Sequence, residues 1–118
     1  MDKGYFEYQN LYAGNAEVIR KSVILAKGTK IVVGAVLGMI SSTREVVWAD
    51  IKRTDSAKTA YAISVTECDA TDAAKEIVVD LTGEFNERML KFAPDNTAAD
   101  HEFAARQVGL IFKKTVSK

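Results

Sequence analysis

The sequence predicts a mainly β domain with one α-helix in its C-terminal half. Short runs rich in Val and Ile recur at intervals of roughly 10 to 15 residues with turn residues between them, as in a closed or folded-over sheet. Strand and helix patterns do not alternate, so no parallel βαβ sheet is expected. Only one stretch, from about Thr97 to Gln107, carries helix chemistry. Ala98, Ala99, Ala104 and Ala105 favour helix, Asp95, Asn96 and Thr97 offer N-caps, and Asp100 stands where the acid of a loose capping box would stand. Gly109 supplies a stop.

In chain order, Met1 to Gly14 holds Tyr5, Phe6, Tyr8 and Tyr12, four of the ten aromatic residues, together with Leu11. No sustained periodicity says how these rings would be buried at home. Two readings stand: a first strand tucked onto the core, or an arm that orders on a partner, where Tyr gives large contact area at low entropic cost. Ala16 to Leu25 mixes β-branched residues with charges and reads as a strand, and Lys27 to Lys30 as a turn. Ile31 to Ile40 (IVVGAVLGMI) reads as a strand buried on both faces or bent at Gly34 and Gly38. Ser41 to Arg44 is a polar turn, Glu45 to Ile51 a strand carrying the single Trp48, and Arg53 to Lys58 a loop. Thr59 to Thr66 alternates, with Ala60, Ala62, Ser64 and Thr66 on one face and Tyr61, Ile63 and Val65 on the other. Cys68 to Ala74 reads as a polar loop, and Glu76 to Leu81 as a strand ending in a turn at Gly83. A short extended run through Phe85, Met89, Leu90 and Phe92 follows; Pro94 ends it, and Leu110 to Phe112 resume a strand after the helix.

Composition narrows the function. At 118 residues the chain makes one core, not two, and its formal net charge of zero argues against a nucleic-acid partner. The basic pairs Arg20-Lys21, Lys52-Arg53 and Lys113-Lys114 read as solvated edges rather than phosphate sites. Gly28-Thr29-Lys30 lacks the earlier glycine of a phosphate loop, and Gly34 with Gly38 reads as strand bends rather than a membrane-helix contact. No apolar leader is visible, and the run Ile31 to Ile40 is about half of a membrane span, so a soluble protein made in a reducing cytoplasm is expected.

Catalytic candidates are few. Cys68, the only cysteine, sits between Glu67 and Asp69, whose charges disfavour a thiolate. His101, the only histidine, has no nucleophile placed beside it by the sequence. Glu76, Asp80, Glu84 and Glu87 read as solvent-facing positions that keep strand edges apart. No catalytic, metal-binding or cofactor-binding set emerges, and a non-enzyme is expected.

The order of parts in the C-terminal half also resembles the head decoration proteins of lambda-like tailed phages. The resemblance rests on Gly83-Glu84-Phe85, the run Met89-Leu90-Lys91-Phe92, Pro94, the helix from about Thr97 to Gln107, and Gly109 to Val116. It extends weakly upstream through Ala62 to Val65 and Asp69 to Thr71. It implies a β-clip-like fold, a bent ribbon closing an incomplete barrel. It also implies a structural role: trimers binding the major capsid protein on the exterior of the expanded head and stabilising it, after assembly in the host cytoplasm or from a prophage. It favours the arm reading, with residues 1–14 as a capsid-binding arm bearing Tyr5, Phe6, Tyr8, Leu11 and Tyr12, and residues 15–118 as the decoration domain. The chain lacks the long Pro/Ala/Gly/Ser-rich tail of the best-known members, and Ser41 to Lys58 has no match. The alternative is a cellular β-barrel interaction module without enzymatic activity.

Overall fold

A computed structural model describes residues 17–114. Eight strands and one helix follow in the order β1 (Ile19–Leu25), β2 (Lys30–Ile31), β3 (Val36–Ile40), β4 (Glu45–Trp48), β5 (Ala62–Ser64), β6 (Cys68–Asp69), β7 (Lys75–Asn86), α1 (Ala98–Gln107) and β8 (Leu110–Lys113). The main sheet runs β1-β4-β3-β5-β7-β8, and β1 also pairs with β7, so the sheet curls back on itself. β2 and β6 form a separate two-stranded patch. The mainly β reading with one helix in the C-terminal half therefore holds.

The organising strand is β7. Gly83 was expected to turn the chain; instead β7 runs straight through it to Asn86. Gly83 has φ +147°, a conformation that side chains rarely adopt, and an added Cβ would press on the Phe85 ring. The strand changes partners there. Residues from Lys75 to Thr82 pair with β1, whereas Gly83 to Asn86 run parallel to β8. The run expected to be extended after Phe85 is instead a 3-10 turn, Glu87–Met89, whose first turn is capped by Asn86 accepting from the Arg88 N–H at 3.2 Å.

The two glycines of the Ile31 to Ile40 run do different work. Gly34 adopts φ +93° and divides the run into β2 and β3, with the Met89 carbonyl lying where a Cβ would go. Gly38 does not bend the chain. It sits within β3 because the Ala57 backbone approaches too closely for any side chain. Ala57 belongs to a second 3-10 turn, Ser56–Lys58, capped by Asp55 inside the stretch expected to be loop. β4 ends at Trp48, three residues short of the predicted Ile51.

The alternation of Thr59 to Thr66 does not mark one wet face. Ala60, Ala62, Ile63, Ser64 and Val65 are all buried, because β5 lies between β3 and β7 with core on both sides. Ile63 and Val65 pack with Phe85, Leu110 and Phe112, while Ala62 packs with Leu25, Leu37, Val46 and Val79. Cys68 and Asp69, expected in a loop, form β6 against β2.

The helix begins as predicted. The Thr97 N–H donates to Asp100 Oδ2 at 2.8 Å, and Gly109 follows the C-cap Val108 with φ +93°. Ala105 and His101 turn inward, and Phe112 of β8 meets Phe92 edge-on.

Candidate functional site

The residues that sequence reasoning assigned to docking, Tyr5, Phe6, Tyr8, Leu11 and Tyr12, lie outside the described residues. The Glu17 carbonyl accepts from the Thr82 hydroxyl at 3.0 Å, which ties the start of the described chain to β7 just before Gly83. Val18 and Ile19 follow it and remain exposed.

The residues considered for catalysis are not assembled for it. His101 is 1% exposed and stacks on Phe92, with ring centroids 6.0 Å apart and 5° between planes. Its Nε2 lies 2.8 Å from Asn96 Oδ1. That oxygen also accepts from the Ile51 N–H at 2.9 Å, while Asn96 Nδ2 donates to Asp50 Oδ1 at 3.2 Å and the Pro94 carbonyl at 2.9 Å. The amide is thereby oriented oxygen-first toward His101, so Nε2 carries the proton. Nδ1 is buried and has no partner among the described residues. Burial pushes the imidazole below its ordinary value, opposed by the charges of Asp100 and Asp50. This is a neutral imidazole that staples the helix to the 49–53 loop. Hydrogen bonds from the Lys52 N–H and from Asn96 hold Asp50 below the usual carboxylate range.

Cys68 is half-buried in β6 and shares no cluster with His101. Among the described residues, no group of three or more His, Cys, Asp or Glu is placed to hold a metal ion. Among the four carboxylates expected to face solvent, Asp80 is a correction: it is fully buried and accepts from Arg20 Nε at 2.8 Å. The β1–β7 register shifts beside it, so the adjacent residues Val79 and Asp80 are both buried, and the guanidinium compensates the charge. Glu84 is half-buried beside Lys113 at 3.2 Å.

Four of the six cations in the basic pairs are locally neutralised among the described residues, Arg20 by Asp80. Lys52 meets Asp95 at 2.9 Å, Arg53 meets Asp55 at 2.7 Å, and Lys113 meets Glu84. Among the described residues, no helix is long and apolar enough to cross a membrane.

The described body is thus a small β scaffold whose polar interior is committed to holding loops together, the class of a structural or interaction domain. The family model for bacteriophage lambda head decoration protein D matches residues 7–110, so the chain belongs to that head decoration family. A search of curated proteins finds no match. Membership makes the protein a structural component of the phage head, associated with the capsid, and not an enzyme.

Proposed function

We propose that the protein binds as a homotrimer to the exterior of the expanded phage head, contacts the major capsid protein through residues 1–14, and cements neighbouring subunits against internal pressure. The family match over residues 7–110 carries this reading, because it covers most of the body and reaches into the aromatic segment at Tyr8, Leu11 and Tyr12. Tyr5 and Phe6 are the remaining members of the same anchor set. Aromatic side chains suit the role, being large and cheap to immobilise in a groove or beside a sheet edge.

The mechanism is linkage. A protein that binds only the expanded shell lowers the free energy of that shell relative to all others. Trimerisation ties three arms together, so that once one is seated the other two bind intramolecularly. A net charge of zero lets many copies crowd one surface with little mutual repulsion. The protein folds in the host cytoplasm, is encoded by a phage or prophage, and uses the β7 ribbon as the clip-like support for the arm.

Thermal disassembly of expanded shells, prepared without the protein and then titrated with it, tests this. Shells should break up at a higher temperature as sites fill, with saturation at three copies per local three-fold position. Unchanged disassembly at saturating protein would refute the cementing role.

A further inference from the structure

We propose that the gap in the strand ring beside β1 receives an extended segment of the shell protein, added as a strand alongside Ser22. The proposal rests on the decoration reading above and concerns a second contact, separate from residues 1–14.

The backbone parity of β1 carries the argument. Ser22 stands opposite Val78 in the antiparallel β1–β7 register. The Val78 backbone is already turned the other way. Its carbonyl accepts from the Val65 N–H at 3.2 Å and from the Thr66 hydroxyl at 3.2 Å, and its N–H donates to Thr66 Oγ1 at 3.1 Å. Residues opposed in an antiparallel ladder either bond each other or both turn away. The N–H and C=O of Ser22 therefore point out of the β1–β7 pair, to the side where β4 lies. β4 pairs with β1 only at Ile24 and Leu25, and the Ala26 N–H completes the contact by donating to the Val46 carbonyl at 3.0 Å. Before Glu45 the chain is in the Ser41–Arg44 turn, so nothing among the described residues meets the Ser22 backbone.

An open cleft of about 310 Å³ occupies this gap. Val23, Ile24, Met39 and Tyr61 give it apolar walls, Lys21 and Arg44 add two cations, and among the described residues no carboxylate lines it. Neither cation is in an ion pair among the described residues. A strand edge unused among the described residues, beside an apolar, cationic cleft, selects an extended peptide. The segment that fits carries an Asp or Glu near an apolar side chain: its backbone pairs with Ser22, its carboxylate meets Lys21 or Arg44, and its apolar group enters the cleft.

The test combines binding to expanded shells lacking the protein with hydrogen exchange of the β1 amides, for the full chain and for Ser22→Pro and Arg44→Glu. Proline is tolerated on an edge where its N–H would have faced outward, and Arg44→Glu leaves the edge intact, so it decides if the proline variant does not fold. The parent chain should bind saturably, each variant about tenfold more weakly, and Ser22 exchange, fast in the free protein, should slow on the shell. Variants that bind like the parent would overturn the edge proposal while leaving the decoration reading standing. A parent that does not bind at all would overturn both. Protection of Ser22 already in the free protein would show the edge taken by this chain or a second copy, and would overturn the choice of partner.

Discussion

Asn96→Ala should cost far more stability than an exposed-loop asparagine normally would. The side chain makes four hydrogen bonds, to the Ile51 N–H, the Asp50 carboxylate, the Pro94 carbonyl and His101 Nε2. Water can replace the first three in a half-exposed loop, so each is worth about 0.5 kcal/mol. The fourth differs, because His101 is buried and its Nδ1 already lacks a partner among the described residues. Losing Asn96 leaves both ring nitrogens unsatisfied, a penalty of about 1–3 kcal/mol. The total is about 3 kcal/mol, which for a domain of this size lowers Tm by roughly 10 °C. Thermal unfolding followed by circular dichroism at pH 7.5 measures it. A fall of less than about 3 °C would refute the staple and imply that the 49–53 loop and the helix are held by apolar packing alone.

Other perturbations have defined signs. The His101 pKa is depressed by burial, so the unfolded chain binds more protons below its ordinary value of 6.5. Stability should be flat above that pH and fall as pH drops through it; His101→Gln, compared by denaturant unfolding at pH 7.5 and 5, should lose this component. Gly38→Ala should destabilise by about 1–3 kcal/mol, since a Cβ would overlap the Ala57 carbonyl, whereas Gly28→Ala, with nothing within 4 Å, should cost only about 1 kcal/mol from its φ of +90°. Equal losses in the two alanine variants, by denaturant midpoint, would contradict the close-approach account. Phe85→Ala removes the largest fully buried side chain and should cost about 3–5 kcal/mol, read as a shifted urea midpoint at unchanged slope.

What the sequence made legible was local. The helix was readable because its cap, its alanines and its terminal glycine lie within a dozen residues of one another and act without tertiary help. The turn at Ser41 to Arg44 and the core of most strands were readable for the same reason. Gly83 was misread because a glycine signals freedom of backbone angle, and only the neighbouring β8 decides whether that freedom makes a turn or a change of partners. Gly38 was misread because its reason, the Ala57 backbone, lies 19 positions away. Asp80 was placed in solvent because a carboxylate in a strand normally faces water, and only the fold brings Arg20 to it and shifts the register beside it. The Asn96 staple had no sequence signal, since Asp50 and Ile51 lie 46 and 45 positions away and only the fold brings them to it. Family membership was legible in the order of parts around β7, Pro94 and the helix, which the match over residues 7–110 supports.

The central claim is that this chain decorates an expanded head through its aromatic N-terminal segment. Co-sedimentation with expanded shells lacking the protein tests it most directly, using the full chain and a version without Met1 to Gly14. The account predicts saturable binding by the full chain and its loss on truncation, with the truncated body still folded. Failure of the full chain to bind intact expanded shells would contradict the account. Undiminished binding by the truncated chain would return Tyr5, Phe6, Tyr8, Leu11 and Tyr12 to the core and move docking to the body.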